Sequence, residues 1–180
     1  MNVRDRVEAI EADITTLPVD AIVNAANAEL THTGGPGGGV DGTIRKRAGS
    51  ELDEELARIG HCEPGAAIIT DGFKLPAKFV IHTVAPIWGG PAQKATQEPV
   101  LARCYESVFA LADANDVRTI AIPAIGIGAY RWPADVATKI AFSTVIAHLR
   151  QSDIQTLVTF CCFTRADRER YSALIAALRD

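Results

Sequence analysis

The sequence carries no excess of positive charge. Its 18 Lys and Arg residues stand against 22 Asp and Glu, which leaves a net charge of −4 and a pI near 5.6. Nucleic acids and anionic membranes are bound through a basic footprint, so neither is expected as a partner. No apolar run reaches the length of a membrane span, and the opening Met1-Asn-Val-Arg-Asp-Arg lacks the apolar core of a secretory leader. A cytoplasmic, monomeric protein is expected. The four cysteines, Cys62, Cys104, Cys161 and Cys162, form no C-x-x-C pair and show no Cys/His ligand spacing. That argues against a zinc site or a disulfide framework, and neither metal nor cofactor is expected. Each reads as a buried thiol, with Cys161 and Cys162 pointing to opposite faces of one strand. Internal repeats, low-complexity segments and composition breaks are also missing, so residues 1–180 read as one domain with a core of its own.

What the sequence does have is glycine in one place. Six of the fourteen glycines fall in 34–42, within the stretch Asn24-Ala-Ala-Asn-Ala-Glu-Leu-Thr-His-Thr-Gly-Gly-Pro-Gly-Gly-Gly-Val-Asp-Gly42. The stretch leaves an apolar strand, Ala21-Ile-Val23, and leads into a helix. Glycine N–H groups delivered to a helix N-terminus form an anion site, because the donors there have no intrahelical partners. No lysine or arginine lies between Asn24 and Gly42. A phosphate bound here is therefore held by backbone.

Strands are expected over 6–10, 21–24, 66–70, 79–84, 119–122 and 156–163. Helices are expected over 43–48, from Ser50 to Gly60, and over 98–115, 134–150 and 167–178. The second helix opens on Ser50-Glu-Leu-Asp53, which resembles a capping box. The first two strands follow one another without a helix, which speaks against a pure Rossmann unit, whereas the second half alternates strand and helix. The pattern implies an α/β fold, a three-layer α/β/α sandwich around a mixed six-stranded sheet with a parallel centre.

In such sheets ligands sit outside the carboxyl ends of the strands. Asp13, the loop after Asn24, the loop Pro123-Ala-Ile-Gly-Ile-Gly-Ala-Tyr130 and Phe163 each follow an expected strand, so one crevice should collect all four. Taken singly, each has an ordinary reading. Asp13 suits an Asx turn, Asn24 and Asn27 suit loop-backbone bonding, Asp41 suits a helix cap or a first-turn acid, Phe163 suits a core, and Gly126 and Gly128 suit a turn. His82 reads as a satisfied core histidine.

Three strings resemble the macrodomain family in its MacroD-type branch: Glu11-Ala-Asp-Ile-Thr15, Asp20-Ala-Ile-Val-Asn-Ala-Ala-Asn27 and Gly37-Gly-Gly-Val-Asp-Gly42. Val80-Ile-His-Thr-Val84 and Pro123 to Tyr130 follow in matching order, so that the resemblance covers nearly the whole chain. It implies binding of ADP-ribose and of ADP-ribosylated proteins. It also implies hydrolysis of O-acetyl-ADP-ribose and of mono-ADP-ribose esters on Asp and Glu side chains. A non-catalytic reader of ADP-ribosylated proteins is the alternative.

By position, the resemblance puts Asp13, with Ile14 beside it, at the adenine, and stacks Phe163 on the base. Gly37, Gly38, Gly39 and Val40, with Ile125, Gly126, Ile127, Gly128, Ala129 and Tyr130, wrap the diphosphate. Asn24 is counted among the ligand-binding residues. Asn27 and Asp41 face that ribose as the catalytic pair, Asp41 orienting a water and Asn27 holding hydroxyls. Aspartate is a weak base at neutral pH, so orienting the water is expected to matter more than removing its proton. Two departures from the branch stand out. The loop Thr31-His-Thr-Gly-Gly-Pro36 is longer, and Gly126-Ile127 replaces a small hydroxyl pair.

Overall fold

A computed structural model describes residues 1–32 and 38–179. The strands are β1 (Val7–Glu11), β2 (Ala21–Ala25), β3 (Ala67–Asp71), β4 (Phe79–Thr83), β5 (Thr119–Ile122) and β6 (Leu157–Cys162). The helices are α1 (Gly39–Ala48), α2 (Ser50–Ile59), α3 (Lys94–Ala114), α4 (Ala134–Gln151) and α5 (Arg165–Ala177). The sheet runs β1-β6-β5-β2-β4-β3, with every neighbouring pair parallel except β4 with β3. The mixed sheet with a parallel centre is therefore as expected.

Side-chain alternation along the strands builds two cores. Ala21, Val23, Ile120, Ile122, Val158, Phe160 and Cys162 face α3, α4 and α5. Ile22, Ala121, Val80 and Cys161 face α1 and α2. Cys161 and Cys162 thus do point to opposite layers. All four cysteines are buried free thiols, and burial pushes Cys161 up to about 11 and Cys162 up to about 12. Tyr171, on the inward face of α5 with Leu174 and Ile175, stacks on Phe160 with ring centroids 4.1 Å apart, and Leu178 packs on the same core just past the helix end.

Three local readings need correction. Arg6 is not the first strand residue. It lies in a 3-10 turn, Val3–Arg6, and its guanidinium donates to the carbonyls of Leu149, Ile154 and Thr156, tying the end of α4 to β6. Ser50 is no capping box: it is the first residue of α2, the N-cap is Gly49, and no side chain caps it. Helix α3 begins at Lys94, after a 3-10 turn at Pro91–Gln93, so Pro99 sits inside it instead of near its start. Proline lacks an N–H and forgoes one ladder bond there, a loss most easily borne near a helix N-terminus.

At the amino end of β2, Asp20 ties three strands together. Its carboxylate accepts from the N–H groups of Arg118 and Thr119, from the Thr119 hydroxyl and from Lys78. Burial opposes its ionisation, but these donors outweigh burial and bring the group down to about 2. A depressed folded pKa gives stability that is present in full above the unfolded value, near 4, and is lost as pH falls through 2. The shift corresponds to roughly 2–3 kcal/mol. Asp20→Asn should lose about that much by urea unfolding at pH 7, and the gap from wild type should close near pH 2. An equal gap at both pH values would place the effect in packing instead of ionisation.

Candidate functional site

Because β1, β6, β5, β2 and β4 are parallel, their carboxyl ends emerge along one edge of the sheet. Asp13 follows β1, Phe163 follows β6, 123–130 follows β5 and Asn27 follows β2. All four expected loops therefore open on the same edge.

On the β1 side, Asp13 is the N-cap of a 3-10 turn, Ile14–Thr16. Its Oδ1 accepts from the N–H of Thr15 at 3.0 Å and from the Thr15 hydroxyl, while Oδ2 lies 3.4 Å from Arg47. The Thr15 hydroxyl bond, ahead of burial and Arg47, sets the direction of its shift, which is downward. The carboxylate expected to be free for a base is thus already partly engaged. Ile14 has its side chain in the second core, so anything it offers a ligand is a backbone group. Phe163 is 91% exposed. A ring at the end of a strand with so little protein against it is available for stacking, unlike the core residue that its hydrophobicity suggests.

The centre of the edge is the start of α1. The helix begins at Gly39, one turn before the expected Thr43, with Gly38 as N-cap at φ +42°. A Cβ on Gly38 would lie 2.8 Å from the Cα of Gly42, which explains the glycine there. The expected contribution of Gly37 lies outside the described residues. Val40 packs toward the second core and presents only backbone. The first N–H groups of α1 have no partners within the helix and open onto the crevice edge.

Across from them the β5 exit loop turns at Gly126, φ +83°, where a Cβ would lie 2.8 Å from Cδ1 of Trp132. Ile125 is buried and Ile127 packs on the first core, so both offer backbone, while Gly128 and Ala129 are exposed. Tyr130 packs on both cores, and its hydroxyl is shifted up by burial and by the carboxylates of Glu29 and Asp41. A strap from β4, unforeseen in the sequence, holds this loop. The N–H of Trp88 donates to the Tyr130 carbonyl at 2.9 Å, the indole of Trp132 donates to the Pro86 carbonyl at 2.7 Å, and the two indoles meet at 4.8 Å. Two tryptophans beside glycine and proline in expected loops were the signal for it.

Asp41 is not a cap but a first-turn acid, the other of its ordinary readings: it is the third residue of α1 and only 5% exposed. Its Oδ1 accepts from Nδ2 of Asn24 at 2.7 Å, and its Oδ2 accepts from Nε of Arg45 at 2.9 Å. Arg45 is itself 4% exposed. Beyond Asp41 it donates to Asp53 of α2 and to the carbonyl of Leu30 at 2.9 Å. Sequence reasoning missed this clamp, although an acid four residues before a base on one helix was its signal.

Two asparagines change roles. Asn24 is fully buried and supports Asp41 from beneath. Asn27 uses its side chain to close its own loop, donating to the carbonyl of Thr31 and accepting from the Thr31 N–H at 3.2 Å. The loop-backbone reading holds for Asn27 as the structure stands. His32, on the lengthened loop, lines a pocket of about 440 Å³ with Arg45, Lys46 and Asp53 on the α1–α2 side.

Residues 23–141 match the Macro domain family. The O-acetyl-ADP-ribose deacetylase of Klebsiella pneumoniae is 44% identical over 174 residues, covering 94% of this chain and 96% of that protein. The ADP-ribose glycohydrolase MACROD2 of Xenopus laevis is 45% identical over 168 residues, covering 93% of this chain and 39% of that longer protein. Among solved structures, the Oceanobacillus iheyensis macrodomain with ADP aligns with a TM-score of 0.88 at 35% identity, covering 99% of this chain and 96% of that one. With its six-stranded sheet, its glycine-led α1 and its acid-bearing crevice edge, this chain belongs to the macrodomain family, in the MacroD-type branch.

Proposed function

We propose that the protein is an ADP-ribose-binding hydrolase. It cleaves O-acetyl-ADP-ribose and the ester that joins mono-ADP-ribose to protein Asp and Glu side chains. The observation that carries this reading is a buried carboxylate, Asp41, in the first turn of a glycine-led helix at the carboxyl edge of the sheet. The names of the deacetylase and glycohydrolase relatives support it.

In this reading the adenine lies between Asp13 and Phe163. Backbone N–H groups at Gly38, Gly39 and Val40 and along 125–130 hold the diphosphate without a resident cation. That leaves the distal ribose toward Asn27 and Asp41. A carboxylate has about four lone-pair sites, and Asn24 and Arg45 take two of those on Asp41. One of the others receives a hydrogen bond from water and turns the water oxygen toward the ester. Water adds, the ester C–O bond breaks, and the products are a carboxylic acid and ADP-ribose with a free hydroxyl. No electron changes hands.

A non-catalytic reader is the second reading, favoured by one observation: the Asn27 side chain is already occupied by Thr31. Turnover decides between them. Wild-type protein should release free ADP-ribose from a Glu-linked substrate and acetate from O-acetyl-ADP-ribose. Tight binding with no release of either product would make it a reader. Binding is tested separately by calorimetry. Asp13→Ala should weaken ADP-ribose roughly ten- to hundredfold, the loss of one charged hydrogen bond. Phe163→Ala should weaken it by a similar factor, the loss of one stacked ring, with no change in melting temperature. Unchanged affinity in both variants would move the adenine elsewhere.

A further inference from the structure

On the face of the sheet beneath α1 and α2, three polar residues stand in a row across adjacent strands: Asn24 on β2, His82 on β4 and Thr70 on β3. All three are buried. Nδ2 of Asn24 lies 3.0 Å from Nδ1 of His82, and Nε2 of His82 lies 3.0 Å from the Thr70 hydroxyl, which donates in turn to the Asp71 carbonyl at 3.1 Å. The direction of every bond follows from chemistry. The group of Asn24 facing the Asp41 carboxylate must be the NH2, because an amide oxygen there would meet another oxygen at 2.7 Å. The same NH2 reaches His82, so Nδ1 accepts. The ring proton is then on Nε2 and goes to Thr70. The Oδ1 of Asn24 is buried and finds no donor among the described residues. Among the described residues, then, the bonds to Asp41 and His82 alone set which way the amide faces.

We propose that His82 is a positioning residue for Asp41, holding the Asn24 amide in the one orientation that presents its NH2 to the carboxylate. The inference rests on the hydrolase reading for its effect on turnover, though not for the geometry itself. Burial, with Arg45 adding to it, brings His82 down to about 3, so the ring stays neutral and Nδ1 stays an acceptor at working pH. Without that acceptor Asp41 alone holds the amide, which can then tilt out of line with the carboxylate and lengthen that contact. The water that Asp41 orients is then misplaced.

The test uses three variants. His82→Phe removes both ring contacts. His82→Asn keeps an acceptor near the place of Nδ1, and His82→Gln keeps a polar end near the place of Nε2. Turnover per folded molecule should fall about a hundredfold in His82→Phe, with ADP-ribose affinity within about threefold of wild type. His82→Asn should recover most of that loss and His82→Gln little of it, an order that a purely structural histidine would not produce. On the wild-type protein, a long-range proton–nitrogen correlation spectrum should find the bare nitrogen at Nδ1. Should His82→Phe not fold, that spectrum and the contrast between His82→Asn and His82→Gln still decide. Equal turnover in these two variants, or a proton on Nδ1, would overturn the proposal. If wild type itself releases no product, the hydrolase reading fails on its own. The positioning claim is then read from a crystal structure of His82→Phe, in which persistence of the 2.7 Å contact between Asn24 and Asp41 would refute it and its loss would support it.

Discussion

Asp41→Asn is expected to lower turnover of a Glu-linked ADP-ribosyl ester by at least a hundredfold, while ADP-ribose affinity stays within about threefold. The substitution keeps the volume and one oxygen, so α1 should still form, but it replaces two charge-bearing acceptors with one neutral oxygen and a donor. Asn24 and Arg45 both donate toward this position, and the new NH2 faces one of them donor to donor. The amide oxygen keeps at most one free lone pair, neutral and in only one of the two settings, so the water is held weakly or not at all. Asp41→Ala is the poorer probe, because it leaves the buried guanidinium of Arg45 without its partner inside the helix and confounds folding with chemistry. Single-turnover hydrolysis beside calorimetry on one preparation makes the measurement. Turnover within tenfold of wild type would remove Asp41 from the chemistry and leave it a structural acid.

The second large effect is on stability. Arg45→Met should lose about 3–5 kcal/mol by urea unfolding, as expected when one member of a buried pair is removed. The side chain joins three separately folded parts: Asp41 on α1, Asp53 on α2 and the Leu30 carbonyl ahead of the glycine stretch. Methionine fills much of the volume but meets none of the three acceptors, and the Asp41 charge is left buried without a counter-ion. The melting temperature should drop by roughly 10 °C. In the double variant Asp41→Asn/Arg45→Met the losses should fall short of their sum by at least about 1 kcal/mol, because each substitution removes the reason for part of the other's cost. Simple additivity would mean that the two side chains are neighbours without being coupled.

What the sequence made legible was placement. The strand ends bring Asp13, Asn27, the 123–130 loop and Phe163 to one edge because the strands are parallel, and parallel pairing was readable from the alternation of strand and helix in the second half. Illegible was which polar atoms remain free once they arrive. Asn24 and Asn27 differ by three positions in one string, yet one ends under a helix and the other bonds its own loop. That outcome depends on α1 crossing above β2, a tertiary fact with no periodicity of its own. The early start of α1 escaped for a related reason. Glycine is a weak helix former, and Gly38 and Gly39 are recruited by packing instead of propensity. Arg45 and Asp53 belong to different helices, and nothing in either helix alone announces their bond. The histidine in Val80-Ile-His-Thr-Val84 was correctly read as a satisfied core residue. Its partners on both sides could be known only once three strands lay side by side.

The position of β1 bears on how the protein is made. It is an edge strand paired with β6, and residues facing one another across that pair, such as Glu8 and Thr159, are 151 apart in the chain. During synthesis β1 therefore leaves the ribosome before every other strand of the sheet and waits for its neighbour until the four strands between them in sequence have been made. Closing so long a loop is slow, and contacts of this separation are the late ones in folding. Asp13 and Phe163 stand at the ends of these same two strands. A nascent chain can hence assemble the β2, β4 and β5 side of the crevice, with its glycine-led helix, well before the two residues proposed to hold the adenine come together. A nucleoside ligand that spans both sides would bind the finished chain in preference to the unfinished one, and would draw the last strand pair closed by mass action.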